Sequence, residues 1–402
     1  MTEEATDLWR VLKISEAAEV VGGGTPSTKD PENFGSDIPW ITPKDLSGHA
    51  SRFIGVGDRS LSHKGLASSS AKTLPAGTVL MSTRAPIGLT AIATQTVSTN
   101  QGCRSLIPKP GVVDSAFLYY LMSGSTEYLH QHANGTTFQE ISGGVLKDLE
   151  FLFPPLDEQR RIALVLSTID DKIESCWGLA KAIDELFHSV WLARFASAQD
   201  DAQESLREFC GAQYGVTVSG SPEPVGPRLL RVTDINKANW IDWRNVPYCS
   251  VSDSELKKYL LHPGDCVVAR MADPGKSAMV EVPESAVFAS YLIRIKPKAP
   301  TANHFLFGFL KSHYFTDYSE ASSSGSVQQN INAQTILDAP CSLPDNEELG
   351  SFEAMAKDLR SPLVQAIVER NSLIDLRDFL LPRLLSGELR VAEVEEELEG
   401  AL

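Results

Sequence analysis

The sequence predicts an α+β protein: two tandem α/β lobes, each followed by a long helix, with the two helices pairing as an antiparallel coiled coil under pseudo-twofold symmetry. Three observations carry that reading. The chain repeats itself at an offset near 188 residues, each repeat ends in a long heptad seam, and each begins with Gly-, Pro-, Ser- and Thr-rich sequence holding short β-like runs.

The repeat is read from six places in the same order. LPAGTVLMSTRAPIG (Leu74 to Gly88) parallels LHPGDCVVARMADPG (Leu261 to Gly275), matching Gly77 with Gly264, Arg84 with Arg270 and Gly88 with Gly275. Phe117-Leu118 matches Phe305-Leu306, Gly135 matches Gly325, and Asp45 in PKDL matches Asp234 in VTDI. A period this long means duplicated domains and not a solenoid.

The elements follow in order. Residues 1–155 form the first lobe, with strand-like GTVLMST, a helix over Ser115 to Gln131, the loop NGTTFQEIS and a strand LEFLFP. Pro154-Pro155 stops that strand, and Leu156-Asp157-Glu158 opens a helix, acids being favoured in a first turn. Ile162, Leu166, Ile169, Ile173, Cys176, Ala180, Ile183, Phe187 and Val190 then alternate spacings of four and three, an a/d seam over residues 156–204. Residues 205–345 repeat the lobe. Residues 346–390 repeat the helix, with Leu349, Phe352, Ala356, Leu359, Leu363, Ala366, Leu373 and Leu380 in the seam and polar breaks at Arg370 and Arg377. Pro362 would kink or divide this second helix. Each seam needs an apolar partner, which is either its own lobe or the other helix. Residues 391–402 are an acidic tail, a solvated helix end or frayed terminus.

Composition is that of an ordinary globular protein, with 42% hydrophobic and 22% charged residues. No run is long and apolar enough for a membrane span, and MTEEATDLWRVLK has no signal-peptide core, so no membrane role and a cytoplasmic location are expected. Six cysteines without CxxC spacing argue against both disulfides and zinc. The net charge of −16 speaks mildly against nucleic acid, but its distribution does not. The lobes are nearly neutral, with 12 basic and 15 acidic residues over 1–155 and 13 and 14 over 205–345, whereas the helical segments hold the acidic excess. A near-neutral lobe can still carry a basic face.

Catalytic motifs are missing. The one Pro-Pro, in Phe153-Pro154-Pro155-Leu156, lacks the Asn or Asp that an amino-methyltransferase loop needs. DPGKS (Asp273 to Ser277) has Arg270 where a phosphate-binding loop needs glycine. Gly22-Gly23-Gly24 reads as a turn, and His130 and His132 face different sides of a helix.

IPWITPKDL, LPAGTVLMSTRAPIG, TNQG (Thr99 to Gly102), NGTTFQEIS, FPPLDEQRRIA and LLPRLLSGEL together closely resemble the specificity subunit of type I restriction-modification systems, from about Trp9 to Leu389. The second lobe departs more, with RVTDI for WITPKDL and VARMADPG for STRAPIG. The resemblance implies two target-recognition domains, each reading half of a split, asymmetric site on double-stranded DNA. It implies that the helices dock two methyltransferase subunits, that restriction/translocase subunits join, and that S-adenosylmethionine, ATP and Mg bind to those partners and not to this chain. The chain itself would carry no catalysis; the alternative is a methyltransferase or nuclease with its own activity.

Base readout needs Arg, Lys, Asn, Gln, Ser or Thr presented from loops. Lobe one offers Thr25, Ser27, Thr42, Lys44, Thr83, Arg84, Asn100, Gln101, Thr137 and Gln139. Lobe two offers Arg231, Thr233, Asn236, Lys237, Arg270, Lys276, Gln328, Gln329 and Asn330. Thr25 and Thr42 equally suit turn caps, and Asn100 and Gln101 equally suit buried hydrogen bonding. Arg84 and Arg270 lead because the repeat sets both just after a matching strand; Lys44 follows.

Overall fold

The computed structural model describes residues 8–47, 49, 51–135, 139–235, 240–282, 284–299, 302–323 and 330–393. The chain forms two compact units, one of Met1–Glu174 with Ser372–Leu402 and the other of Ser175–Asn371.

Each unit is built on a sheet with the same core order, mixed in the first unit and antiparallel in the second. In the first, strands run Ala18–Gly22, Cys103–Pro108, Val79–Thr83, Ile87–Ala93, with the short Phe53–Ile54 at the edge. In the second they run Cys210–Tyr214, Leu292–Pro297, Cys266–Ala269, Ser277–Met279. Alternate residues of a strand face opposite sides, and both faces are covered. Val79 and Met81 join Phe117 and Leu121 in one core, whereas Leu80 joins Ile41 and Ala91 in another. Cys266 and Val268 likewise meet Phe305 and Phe352, whereas Val267 and Ala269 meet Trp243 and Phe288.

The helix behind each sheet has its own way of starting. Asp114 caps Ser115–Gly124, its carboxylate accepting from the amides of Ala116 (2.9 Å) and Phe117 (3.1 Å). Asn303–Lys311 has no such residue. There Glu353, from a helix far along the chain, accepts from the amides of His304 (3.2 Å) and Phe305 (2.8 Å).

The long helices span Leu156–Asp200 and Asn346–Ser386, the second running unbroken through Pro362 and not divided there. The seam is the buried stripe. Ile162, Leu166, Cys176, Ala180, Ile183, Phe187 and Leu363 are buried, and Ile169, Ile173, Leu359 and Leu373 partly so. Beyond Phe187 the stripe continues through the buried Trp191 and Phe195, with Val190 partly buried against the same core. The helices pack both on each other and on the lobes. In the first unit Ile162 and Leu166 share one core with Leu380, Leu384 and Phe117. Arg377, a break in the seam pattern, pairs with Asp170 at 3.1 Å. In the second unit the guanidinium of Arg370 lies over Trp177 (4.8 Å), Arg360 meets Asp184 (2.9 Å) and Phe352 meets Phe195 (4.9 Å), so the helices run antiparallel.

Each lobe closes where it opens. Arg10–Lys13 pairs antiparallel with Glu150–Phe153, residue for residue. In the second lobe Leu206 donates to the Ala339 carbonyl (3.1 Å) and Cys341 to that of Glu204 (3.0 Å). All six cysteines are buried, and none forms a disulfide.

Gly308 lets the indole of Trp191 reach its helix; a Cβ there would stand 2.1 Å from Trp191 Cδ1. Gly308→Ala is expected to destabilise the second unit by at least ~1–3 kcal/mol in denaturant unfolding, through overpacking. Gly350→Ala, on an exposed helical face with nothing within 4 Å, should instead stabilise by about 0.4–1 kcal/mol.

Candidate nucleic-acid interface

The two lobes present the same local frame. Ala85 and Ala272, both non-glycine residues at positive φ (51° and 67°), follow the ends of equivalent strands. Gly77 and Gly264, and Gly88 and Gly275, also share positive φ. All three pairs sit at an offset of 187, which sets Thr83 against Arg270 and Arg84 against Met271. The main-chain ladder agrees. Ile141 donates to the Thr83 carbonyl (3.1 Å) as Ile331 does to that of Arg270 (2.9 Å), and Arg84 bridges Glu140 as Met271 bridges Asn330. The expected Arg84–Arg270 pairing is therefore one residue out of register: a shared side chain misaligned two backbones whose conformations identify the true partners.

In lobe one the frame gathers several of the named residues. A Cβ on Gly102 would lie 3.0 Å from Pro43 Cγ, 3.2 Å from Asn100 Oδ1 and 3.3 Å from Arg84 Nε, so three loops converge on this glycine. Arg84 is half-exposed, with Nη1 3.7 Å from the Glu140 carboxylate. Gln101 is exposed and accepts from the Thr25 hydroxyl. Gln139, beside Glu140, contacts His130 Nδ1 at 3.2 Å. Lys44 is exposed and paired to Asp58 at 2.6 Å. Thr83 is not a surface group. It is fully buried, and its hydroxyl donates to the Gly102 carbonyl (3.1 Å), because the strand it ends is covered on both faces. Asn100 accepts from the Gly102 amide (2.9 Å), a turn-forming role.

In lobe two Arg231 is held by Asp234 through two hydrogen bonds of 2.9 and 3.0 Å. Asp234 also accepts from the Arg231 amide, as Asp45 does from that of Thr42 (2.8 Å), so the repeated aspartate is a local turn device in both lobes. Lys276 is exposed on the turn before strand Ser277–Met279; with no helix after it, the turn is no phosphate-binding loop. Lys276 and Lys311 both border a cavity of about 360 Å³, and burial, with Lys276 and Arg360 adding to it, lowers the Lys311 pKa to about 8 against the pull of Asp184. Arg270 lies with its guanidinium 5.2 Å from the ring of Tyr214. Thr137, Asn236, Lys237, Gln328 and Gln329 lie outside the described residues. Glu140 and Tyr214 escaped the sequence reading: an acid argues against DNA, and a lone strand tyrosine carries no signal.

Among the described residues no cluster of His, Cys, Asp or Glu could hold a metal, and no helix is long and apolar enough to cross a membrane.

Residues 6–184 match the family model described as the type I restriction modification DNA specificity domain. The MjaIX specificity subunit of a type I restriction enzyme from Methanocaldococcus jannaschii is 31% identical, over 96% of this chain and 94% of that one. The MjaVIII specificity subunit of the same organism is 20% identical, over 95% and 93%. The crystal structure of the type I restriction-modification S subunit from M. genitalium shares the fold, with a TM-score of 0.54 at 17% identity, covering 94% of this chain and 96% of the other. Relatedness along nearly the whole length, on a duplicated scaffold of lobe and helix, makes this chain a member of the type I restriction enzyme specificity-subunit family.

Proposed function

We propose that the chain is the DNA-specificity subunit of a type I restriction-modification complex, reading a two-part, asymmetric site on duplex DNA. One observation carries this most directly. The two lobes hold a common backbone frame but present different side chains from it: Arg84 opposite Glu140 in one, Met271 opposite Asn330 in the other. A frame kept constant while its side chains differ suits two readers of two different sequences.

The chain contributes recognition, and catalysis belongs to partners. Pro154 and Pro155 only turn a strand into a helix, their carbonyls accepting from Gln159 side-chain and main-chain nitrogens (2.9 and 3.0 Å). Two methyltransferase subunits would dock on the helices, where Leu164, Leu179 and Leu186 stand 66%, 49% and 51% exposed on the central helix. S-adenosylmethionine, and ATP with Mg in the translocase, would be bound by those partners in the cytoplasm.

The purified chain with S-adenosylmethionine is expected to transfer no methyl group to DNA. Assembled with its modification subunit, it should methylate one defined bipartite motif, with binding that weakens steeply as salt rises. Methyl transfer by the chain alone would overturn the proposal.

A further inference from the structure

The second long helix breaks its own seam. Arg370 stands where the spacing of Ala366 and Leu373 asks for an apolar side chain, and its guanidinium lies 4.8 Å from the ring of Trp177 on the central helix. The apolar group beside this break comes from the second lobe. Trp240 is 5% exposed and meets the same Trp177 edge to face, at 4.8 Å between ring centroids. It shares one core with Ala180 and Ile183 of the central helix and Leu363 and Ile367 of the second. A large aromatic side chain of the lobe is thus a member of the core between the helices.

Polar contacts close the rim around it. Arg244 Nη1 donates to the Asn371 carbonyl at 3.0 Å. Asp242, whose carboxylate accepts from the Arg244 amide (3.3 Å), lies 3.8 Å from Arg370. The loop is held at its apolar centre and at its edge. The first lobe docks differently at the matching place. After the equivalent short helix, Pro43–Ser47, its chain reaches the central helix through Arg52, 2.7 Å from the Asp171 carboxylate, which is 62% exposed. An ion pair with one partner in water holds a pose weakly. A buried indole packed among side chains of both helices holds it firmly.

Resting on the specificity-subunit reading, we propose that Trp240 is a positioning residue: with Asp242 and Arg244 it locks the second lobe onto its helices and so restricts the number of base pairs allowed between the two half-sites. Each base pair in the gap adds about 3.4 Å of rise and roughly a tenth of a turn. A lobe free to slide or tilt on its helices by that much would accept gaps one pair longer or shorter. A lobe held by a close-packed aromatic does not, because packed interiors yield little. Trp240 is buried among the helices, out of reach of DNA, so it acts on the spacing and not on the bases read.

The test uses the chain assembled with its modification subunit, acting on duplexes that carry both half-sites with the gap varied one base pair at a time. Methylation at each gap is expressed relative to the best gap. Wild type should favour one gap. Trp240→Ala should raise the relative methylation of the adjacent gaps about tenfold, with the sequence of both half-sites unchanged. Trp240→Phe, which keeps a ring in the core, should restore most of the selectivity. Should Trp240→Ala fail to assemble, the double change Asp242→Ala, Arg244→Ala loosens the rim, leaves the indole buried and supplies the same readout, with a smaller gain at the adjacent gaps. A protein that is merely less stable loses methylation at every gap alike, so the ratio does not move; such a uniform loss would overturn the proposal. An altered base preference in either half-site would overturn it too, since Trp240 would then shape a reader and not its pose. A wild-type complex that methylates no defined motif would instead refute the specificity-subunit reading beneath it.

Discussion

Arg360→Met is expected to lose about 3–5 kcal/mol of stability, the cost of removing one member of a buried charge network. Arg360 is 2% exposed although it sits mid-helix. Its Nε and Nη2 bind both oxygens of Glu281 (2.7 and 3.0 Å), and Nη1 binds Asp184 (2.9 Å). Those carboxylates are 6% and 2% exposed, one from the second lobe and one from the central helix. The guanidinium also stacks near Phe187 (4.7 Å) and Phe307 (5.0 Å). Removing the cation strands two anions out of water, which costs far more than the net worth of the intact network. The triple change Arg360→Met, Asp184→Leu, Glu281→Leu should recover most of the loss, because no charge is then left buried alone. Denaturant unfolding of the three proteins decides it; a single-variant loss under 1 kcal/mol would show the network to be solvated.

Exchanging residues 14–149 for the matching stretch of another member of the family should replace one half of the methylated motif and leave the other half untouched. The physical basis is the closure of the lobe. Arg10–Lys13 and Glu150–Phe153 pair along their whole length, so the chain enters and leaves the lobe at one place. A substituted lobe that keeps those two strands inherits an unbroken junction. Modified-base sequencing of DNA from cells carrying the hybrid reads the result. A motif altered in both halves would show that the lobes do not read independently.

The long helices were legible because a seam at spacings of three and four leaves a one-dimensional trace. Arg360 was not legible. It sits beside Leu359 where an exposed helix face would put it, and its partners lie 176 and 79 residues away in sequence. The repeat was legible in its glycines, which report backbone conformation, and misleading in its arginines, which do not. Thr83 looked like a loop residue because Gly and Pro follow closely; the sheet that buries it is assembled from strands remote in sequence. Arg84, Gln101 and Gln139 belong to loops that the fold gathers around Gly102 and Glu140, a convergence no local pattern announces.

The buried cysteines turn the molecule into its own unfolding gauge. Burial raises the thiols of Cys103 and Cys210 to about 12, and pushes those of Cys266 and Cys341 well above the ordinary range. A thiol must be both exposed and ionised to react with an alkylating reagent, and at neutral pH these are neither. Each modified peptide would then date the opening of its own neighbourhood. Cys103 lies in the first unit, and Cys176, Cys210, Cys249, Cys266 and Cys341 in the second. Timed alkylation followed by mass spectrometry would show which unit opens first, without a probe being added to the chain.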